Sequence, residues 1–381
     1  MMARLGDYIE QIRGVSYKQE DICSSTDNDA VAILRANNIQ DDGLNFDDLV
    51  YIKESKISDK QYIQKGDIVV CASSGSKNLV GKAAIASENF PVAFGAFCKV
   101  VRPKKLIPSY IGYFFQSPKY RSTISELSGG ANINNIRNEH IDELDIVIVS
   151  EKEQESIVNQ LDDLSNLISL RKQQLSKLDE LVKSRFIELF GEWNSNPEPL
   201  KSFLKDITYG FTNPMPDAKE GPWKVTAKDV VNGKVNYDTA RKTTVQAFEE
   251  LTAKSKPTVG DVLLTKDGTL GRCAVVEEDG ICVNQSVAVL KCNEKILPKF
   301  LTILLQMPEY QREMLKSAGG GTIKHIYITK VVDMLIVVPT ISQQMEFLSF
   351  VEQTDKSKLA IQQSLEKLET LKKALMQKYF G

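Results

Sequence analysis

The segment SGSKNLVGKA at residues 74–83 holds residues whose types could bind a phosphate group. Glycines, a lysine and a following hydroxyl residue at fixed spacing form the phosphate-binding loop of nucleotide hydrolases. Here five residues separate Gly75 from Gly81, one more than the motif G-x-x-x-x-G-K allows. Ala83 stands where a serine or threonine would hold magnesium. The segment therefore does not fit a nucleotide-binding loop.

Few residues of the sequence could carry out acid–base catalysis or bind a metal. The sequence has two histidines, His140 and His325, and its six cysteines form no C-x-x-C pair, so a zinc site is not expected. Pro216-Asp217 lacks the downstream Glu-x-Lys of a metal-dependent nuclease and is better interpreted as a turn. The motifs G-x-G-x-x-G, G-x-S-x-G and H-E-x-x-H are absent, as is the Asn/Asp-Pro-Pro-Tyr/Phe run of amino-methyltransferases. We therefore expect a protein without catalytic activity, cofactor or metal of its own.

Composition limits the function classes further. The 381 residues are 42% hydrophobic and 26% charged, which is ordinary for a soluble globular protein. The formal net charge is −2, so any binding to nucleic acid must depend on local patches. The sequence has no signal peptide and no apolar run near the length of a membrane span. We expect a soluble protein of a reducing compartment, the cytoplasm.

Two segments with matching residues indicate how the chain is organised. SGGANINNI (128–136) and AGGGTIKHI (318–326) share a Gly pair and two Ile positions, and they lie 190 residues apart. Further pairs in the same order are QKGDIVV (64–70) with TVGDVLL (258–264), GKAAIA (81–86) with GRCAVV (271–276), SPKYR (117–121) with MPEYQ (307–311), and LSKLDELVKSRFIELFG (175–191) with LEKLETLKKALMQKYFG (365–381). From residue 81 onward an offset of 190 without a gap is expected. The chain is interpreted as two copies of one unit.

Each copy has a β-rich part followed by a helical part. A helix is predicted over Ser109–Leu127, with its counterpart over Lys299–Ser317. The helical part opens on S/T-x-x-E/Q at Ser150 and Thr340, which fits a capping box, and it has no Gly or Pro until its end. A helix of about 40 residues is roughly 60 Å long and suits a coiled coil.

The predicted fold class is α+β. It consists of two similar β-rich α/β globular domains related by pseudo-twofold symmetry, separated by an antiparallel coiled coil of two long helices. The predicted segments are domain one at 1–149, the central spacer helix at 150–192, domain two at 193–339 and the C-terminal spacer helix at 340–381. The alternative is two separate amphipathic helices, each packed on its own domain. Short connections, equal lengths and the duplication favour the paired helices.

The sequence motifs shared by the two copies occur in the same order in each copy. They are the GD-hydrophobic run (66–70, 260–264), the later Gly-Lys/Arg (81–82, 271–272), the Pro-x-Tyr segment (118–120, 308–310), the Gly-Gly…Ile…Ile element, Gln154 and Gln344 near the helix starts, and the heptad helices. This set covers the whole chain and resembles the specificity subunit of type I restriction–modification systems. The departures are small: Glu153-Gln154 becomes Gln343-Gln344 in copy two, and Pro339 is replaced by Val149 in copy one.

The resemblance implies that each globular domain is a target-recognition domain reading one half of a bipartite site in double-stranded DNA. It implies that the long helices set the gap and dock two copies of a methyltransferase (modification) subunit. S-adenosylmethionine is then expected on those partner subunits, restriction or translocase subunits join where present, and no membrane is involved. The alternative is a non-catalytic scaffold whose duplicated domains bind protein. An autonomous methyltransferase or nuclease is the third class.

Base contacts are not fixed by the resemblance and are predicted from polar residues on four loops that recur in both copies. Such side chains contact base edges and phosphates. The third of these loops is Phe94-Gly95 in copy one and Asn284-Gln285-Ser286 in copy two. The DNA-binding candidates are Arg35, Asn37, Asn38, Ser74, Ser76, Lys77, Asn78, Lys82, Asn132, Asn134, Asn135, Arg137, Lys224, Thr226, Lys228, Thr265, Lys266, Thr269, Arg272, Gln285, Thr322, Lys324, His325 and Tyr327. The alternative for each loop is a solvated turn. Core anchors are expected at Ile133, Ile136, Ile323 and Ile326.

The helices carry more apolar residues than one helix partner would cover. Those predicted to contact the methyltransferase subunits are Leu167, Leu170, Leu181, Phe186, Phe190, Leu371 and Phe380. Deeper contacts of these residues with the globular domains are the alternative.

Overall fold

The structure, a computed structural model, describes all residues other than 41–42, 77, 128–133, 191–196, 317 and 319–324. The chain forms two structural units, one of Met1–Gln173 with Gln362–Gly381 and the other of Gln174–Ile361. Both boundaries fall inside the long helices, so each unit holds one globular part and a segment of each long helix. The predicted division by function into four segments stays a prediction.

The first unit is built on strands that fall into one larger sheet and several smaller ones. The strands are Met2–Arg4 (β1), Ile9–Arg13 (β2), Ala30–Leu34 (β3), Ile39–Gln40 (β4), Gly43–Leu44 (β5), Val50–Lys53 (β6), Ile68–Cys71 (β7), Ser73–Ser74 (β8), Ala83–Ile85 (β9), Val92–Phe94 (β10), Cys98–Pro103 (β11), Asn134–Asn135 (β12) and Asp145–Val147 (β13). The order β2-β11-β7-β9 forms an antiparallel sheet, and β10-β3-β6 forms a second sheet in which β10 and β3 are parallel. The pairs β1–β13, β4–β5 and β8–β12 complete it. The helices are Pro108–Phe114 (α1), Pro118–Leu127 (α2), Asn138–Asp142 (α3) and the first part of Glu151–Phe190 (α4).

The second unit repeats this plan. Its strands are Glu198–Pro199 (β14), Leu204–Tyr209 (β15), Ala218–Val225 (β16), Val230–Val231 (β17), Lys234–Val235 (β18), Arg241–Lys242 (β19), Val262–Thr265 (β20), Cys273–Val275 (β21), Ile281–Val283 (β22), Val287–Cys292 (β23) and Leu335–Ile336 (β24). The sheets β15-β23-β20-β21 and β19-β16-β22 match those of the first unit, with β16 and β22 parallel. The helices are Val245–Glu249 (α5), Pro298–Gln306 (α6), Pro308–Lys316 (α7), Ile328–Val332 (α8) and the first part of Ile341–Phe380 (α9).

Short 3-10 helices lie between these elements. They are Leu5–Tyr8, Gln19–Asp21, Ala36–Asn38, Glu54–Lys56, Asp59–Gln61, Leu200–Phe203, Ala227–Asp229 and Ala253–Ser255. Those at Ala36–Asn38 and Ala227–Asp229 match each other in the two copies and shape the first of the predicted loops.

The central strand β11 shows why the sheet is buried on both faces. Val101 points into a core made with α1, α2 and the long helices, whereas Cys98 and Val100 point into a second core shared with the smaller sheet. A strand covered on both sides reads as a continuous apolar run rather than an alternating one. The consecutive buried apolar residues Val100–Val101 of β11 and Val287–Leu290 of β23 have this origin.

The ungapped offset of 190 is wrong over two strand pairs. It holds between β9 and β21, falls to 189 between β10–β11 and β22–β23, and returns to 190 between α1 and α6. The reason is the length of two turns: 86–91 is one residue longer than 276–280, and 104–107 is one shorter than 293–297. Phe97 is therefore the counterpart of Ser286.

The single helix predicted over Ser109–Leu127 is also wrong. Helix α1 ends at Phe114 and α2 begins at Pro118, because proline lacks an N–H and disfavours helical geometry in the residue before it. In copy two the same interruption falls at Pro308, between α6 and α7.

The long helices begin where their capping residues predict. Ser150 Oγ accepts a hydrogen bond from the N–H of Glu153 at 3.3 Å. In copy two, the N–H of Thr340 donates to Gln343 Oε1 at 3.1 Å, and Thr340 Oγ1 accepts from the N–H of Gln343 at 3.4 Å. Helices α4 and α9 each run for 40 residues, as predicted. Within the described residues, no helix combines the length and apolarity needed to cross a membrane.

Within the first unit, the start of α4 and the end of α9 are antiparallel. Tyr379 Oη donates to Gln160 Oε1 at 2.9 Å, and further along Glu369 lies 3.7 Å from Lys172. The end of α9 enters the core of this unit, where the ring of Phe380 lies 5.1 Å from that of Tyr110.

Within the second unit, the end of α4 and the start of α9 pair in the same way. Lys358 Nζ lies 2.6 Å from Asp179 Oδ1, and Arg185 lies 3.4 Å from Glu346. The paired arrangement, rather than two separate amphipathic helices, is therefore found in each unit.

Candidate nucleic-acid interface

The Gly-Asp pair that precedes the second predicted loop is a structural element. Asp67 and Asp261 are buried, and each accepts a hydrogen bond from the backbone N–H three residues earlier, at 2.8 and 2.9 Å. The glycines before them have φ of 88° and 91°, a region that favours glycine. The motif therefore forms a turn that starts β7 and β20, the strands that lead into the loop.

A second glycine pair brings the third loop close to the sheet. A β-carbon at Gly14 would overlap the carbonyl of Gly95, and one at Gly210 would overlap the carbonyl of Val283. Glycine at these positions lets Val15 bridge to Gly95 and Phe211 bridge to Asn284. The loop is thereby held at the same place in both units.

The first loop is shaped by a buried cap in each unit. Asn38 accepts a hydrogen bond from the N–H of Arg35 at 2.8 Å and donates to the carbonyl of Asp47 at 2.8 Å. Asp229 takes the same position in the second unit and accepts from the N–H and the hydroxyl of Thr226 at 2.9 and 2.7 Å. The polar groups of Asn38 and Thr226 thus act within the loop.

Backbone contacts bring the four loops of the second unit together. The N–H of Lys266 donates to the carbonyl of Ser286 at 2.9 Å, and the carbonyl of Lys266 accepts from the N–H of Ile326 at 2.9 Å. Thr269 Oγ1 donates to the carbonyl of Ala227 at 2.9 Å. The second loop therefore contacts the first, third and fourth loops directly.

The first unit makes matching contacts. Ser73 pairs with Asn135 in the ladder of β8 with β12, and the N–H of Ser73 donates to the carbonyl of Phe97 at 3.0 Å. Lys82 Nζ donates to Gln40 Oε1 at 3.3 Å, which ties the region of the second loop to the end of the first. In both units the described parts of the predicted loops form one contiguous surface.

The second unit carries a charged cluster on this surface. The matching positions of the first unit are neutral. Asp267 Oδ2 lies 2.8 Å from Lys266 Nζ, and Asp267 Oδ1 lies 2.5 Å from His325 Nδ1. Burial acts to raise the pKa of Asp267, but the hydrogen bonds with Lys266 and His325 outweigh it and hold that pKa below its ordinary value. The ammonium of Lys266 also lies 5.7 Å from the ring centre of Tyr209. The carboxylate therefore stays ionised and holds two basic side chains.

A second cluster engages a predicted DNA contact. Lys224 Nζ lies 2.5 Å from Asp217 Oδ1, and Arg241 lies 2.8 Å from the other oxygen. The hydrogen bond with Lys224, and to a lesser degree that with Arg241, lowers the pKa of Asp217. Lys224 is thus paired with a carboxylate of its own domain.

The predicted DNA contacts differ in their partners and in their exposure. Side chains with a hydrogen-bond or ion-pair partner in their own unit are Arg35, Asn37, Asn38, Ser74, Lys82, Arg137, Lys224, Thr226, Thr265, Lys266, Thr269 and His325. Exposed side chains are Asn37, Ser76, Asn78, Asn135, Arg137, Lys228, Arg272, Gln285 and Tyr327, while Ser74 and His325 are half-buried. Lys77, Asn132, Thr322 and Lys324 lie outside the described residues, as do Ile133 and Ile323, and for Asn134 only the backbone is described. Contact of any of them with DNA stays a prediction.

The expected core anchors and helix contacts have clear positions. Ile136 and Ile326 are buried in the cores of their units. Leu167, Leu170, Leu181 and Leu371 are exposed on the helices. Phe186, Phe190 and Phe380 instead pack against the globular parts, which is the alternative that the sequence left open. The rings of Phe186 and Phe190 lie 6.1 and 5.8 Å from that of Phe300 on α6.

Asp267 and Phe97 on these loops were missed by the sequence analysis. Asp267 can be recognised only from the side chains that it contacts in the structure, and sequence spacing does not show these contacts. Phe97 aligns with Ser286 only once the turn lengths are known. The ungapped offset therefore did not show that an aromatic residue in one copy corresponds to a serine in the other.

Comparison with known proteins gives the family. The sequence family described as "Type I restriction modification DNA specificity domain" matches residues 1–180 and 200–372. The specificity subunit of the type I restriction enzyme EcoKI from Escherichia coli K12 is 29% identical over 97% of this chain and 86% of its own length. The StySPI specificity subunit of Salmonella potsdam is 42% identical over 45% of this chain and 37% of its own length.

Solved structures share the fold at low sequence identity. A chain solved in a study of complex assembly and conformational transition of the type I R-M system has a TM-score of 0.60 at 16% identity, covering 100% of this chain and 97% of that one. The S subunit of a type I restriction–modification system from M. genitalium has a TM-score of 0.56 at 15% identity, covering 100% of this chain and 96% of that one. With two matched regions that together span most of its length, the chain belongs to the family of type I restriction–modification DNA specificity subunits.

Proposed function

We propose that each globular domain reads one half of a bipartite site in double-stranded DNA. One observation carries this proposal: in each unit the described parts of the four polar loops form one surface on a matched backbone frame, while the side chains on that frame differ. Ser73 and Asn135 in the first unit correspond to Asp267 and His325 in the second. A constant frame with variable polar side chains suits two domains that read different base sequences.

The long helices have two proposed roles. They set the distance between the half-sites, and their exposed leucines dock two methyltransferase subunits. Leu167, Leu170, Leu181 and Leu371 support the docking role, because large apolar side chains on a helix surface favour burial against a partner. S-adenosylmethionine is proposed to bind those partners and not this chain.

Catalysis is proposed to reside in the partner subunits, and the complex is proposed to act in the cytoplasm. The relatives are named as specificity subunits of restriction enzymes, which fits a reading role within a larger assembly. The six cysteines are free thiols, as suits a reducing compartment. Restriction subunits join this assembly where the host encodes them.

Sequencing of modified bases tests the reading role directly. Genomic DNA from the host, with and without this gene, is compared for methylated adenines. Gene-dependent methylation at two short elements with a fixed gap is the expected result, and it gives both half-sites at once. An unchanged methylation pattern, with the methyltransferase genes expressed, contradicts the proposal.

Gap length tests the spacer role. The half-site centres are expected about one helical turn apart, on the order of 34 Å. The purified complex should bind the natural duplex and lose specific binding when one base pair is added to the gap. Equal binding at every gap length rules out a rigid spacer.

A further inference from the structure

Phe97 is a large apolar side chain on the candidate DNA surface, and most of it faces solvent. It is 69% exposed. Its backbone is nevertheless fixed, because its carbonyl accepts hydrogen bonds from the N–H groups of Ala72 and Ser73 at 2.9 and 3.0 Å. A turn with a 2.8 Å hydrogen bond from Cys98 to Gly95 closes the loop around it. The ring is thus presented to solvent from a backbone that is held at several points.

The counterpart in the second unit separates the role of the backbone from that of the ring. Ser286 accepts the same pair of backbone hydrogen bonds, from the N–H groups of Lys266 and Asp267 at 2.9 and 3.4 Å. Its hydroxyl is used inside its own unit, 2.5 Å from Asn284 Oδ1 and 3.3 Å from the N–H of Ala227. The loop therefore folds without an aromatic ring at this position, and the ring of Phe97 is not needed to build it.

The surroundings of Phe97 indicate what the ring contacts. Its carbonyl joins it to Ser73, which pairs with Asn135, and the exposed Ser76 and Asn78 continue the same loop. Hydroxyl and amide groups of this kind hydrogen-bond base edges. The apolar feature that base edges offer in the major groove is the C5-methyl group of thymine, and phenylalanine is among the side chains that contact it.

We propose that Phe97 packs against a thymine methyl group in the half-site that the first domain reads. The inference rests on the proposed function and deepens it, since it assigns a T·A pair to that half-site. A base edge is favoured over a wedge inserted between base pairs, because the neighbouring side chains are those that read edges. The second domain, with Ser286 at this position, makes no such contact.

The test replaces each thymine of the bipartite site, one at a time, by uracil, which lacks the methyl group. The full complex with its methyltransferase subunits is titrated with each duplex, using the wild-type chain, Phe97→Ser and Phe97→Leu. One uracil position should weaken wild-type binding about fourfold, as expected for one buried methyl group. Phe97→Ser should weaken binding to the thymine duplex by a similar factor and show no further loss with uracil. Phe97→Leu should keep most of the discrimination.

The outcomes that overturn the inference are distinct. No uracil effect at any position, or the same uracil effect in Phe97→Ser, removes the thymine contact. In duplexes that contain 2-aminopurine, a rise in fluorescence that depends on Phe97, without a uracil effect, means that the ring inserts between base pairs. That result also overturns the inference. Failure of the proposed function looks different, since the wild-type complex would then bind specific and random duplexes equally. Val259→Ser, at an exposed apolar residue before β20 and outside the four loops, is the control and should leave every uracil effect unchanged.

Discussion

His325 Nδ1 lies 2.5 Å from Asp267 Oδ1, at a place where the first domain pairs Asn135 with Ser73. The backbone contact is the same in both domains, but the side chains are a basic and an acidic group in one and two neutral groups in the other. An ionised carboxylate only accepts hydrogen bonds, so Nδ1 of His325 is the donor. The same backbone frame thus carries a charged pair in one domain and a neutral pair in the other.

Asp267→Asn should lower the sequence specificity of the second domain. The change keeps the shape of the side chain but removes the charge that holds Lys266 and His325. Released from the carboxylate, Lys266 should strengthen binding to random DNA, whose phosphates attract cations. The ratio of specific to non-specific affinity should fall about tenfold, the order expected for one lost base contact.

The measurement is a titration of the complex with specific and random duplexes at several salt concentrations. Ser73→Ala at the matching position of the first domain is the control and should change the non-specific affinity little. An unchanged ratio in Asp267→Asn means that the cluster has no part in reading.

Gln344→Leu should destabilise the second unit by about 3 kcal/mol, because it leaves buried backbone groups without partners. The Gln344 side chain is fully buried; it accepts from the N–H of Leu297 at 2.8 Å and donates to the carbonyls of Pro339 and Lys295 at 2.8 and 2.9 Å. Urea unfolding measures the loss. Gln353→Leu, an exposed site on the same helix, should change stability little; a similar small effect in Gln344→Leu would contradict the prediction.

Tyr120→Phe and Tyr310→Phe should have different effects on stability. Tyr120 Oη is buried and has no hydrogen-bond partner among the described residues, so its removal should be neutral or stabilising by up to about 1 kcal/mol. Tyr310 Oη accepts from the N–H of Val337 at 3.3 Å, so its loss should cost about 1 kcal/mol. Urea unfolding of both variants provides the test, and equal effects would contradict it.

The sequence predicted those features that local signals determine. Helices α4 and α9 follow from apolar periodicity and from the capping residues Ser150 and Thr340, which depend only on neighbours a few residues away. The duplication follows from matching residues that occur in the same order in both copies. The breaks at Pro118 and Pro308 were also local signals, and they were overlooked because apolar residues continue on both sides of each proline.

The sequence could not separate polar residues that face solvent from those that support the loops. Asn38 and Thr265 are of residue types that contact DNA, yet they are buried because they hydrogen-bond the backbone of Asp47 and Arg272. In the same way, Phe186 and Phe190 resemble exposed helix residues until the pairing with α9 brings them against Phe347. Such roles depend on tertiary contacts, which spacing along the chain does not contain.

Lys99 should make the stability of the first unit rise with pH in the alkaline range. Its buried ammonium donates to Gln11 Oε1 and Asn138 Oδ1 at 2.7 and 2.6 Å. Burial lowers its pKa from 10.5 to about 8, although Asp142 and Glu139 act in the opposite direction. Between these two values the unfolded chain holds a proton that the folded chain has released, so stability increases with pH.

The measurement is the free energy of unfolding of the wild type relative to Lys99→Met. The difference should be constant below about pH 8 and should shift in favour of the wild type from there to about pH 10.5. Lys65→Met, at an exposed lysine, is the control and should show no trend over this range. A flat profile for Lys99→Met would mean that the lysine stays charged in the folded chain.

Leu170→Glu and Leu181→Glu should reduce binding of the methyltransferase subunit without unfolding the chain. Both leucines are exposed, so their replacement should change stability by no more than about 0.5 kcal/mol. Phe186→Ala should instead cost about 3 kcal/mol, because its ring packs in the aromatic core of the second unit. Co-purification with a tagged methyltransferase subunit, alongside urea unfolding, separates the two effects. Ser169→Glu is the matched control beside Leu170, and undiminished co-purification of both leucine variants would place the docking surface elsewhere.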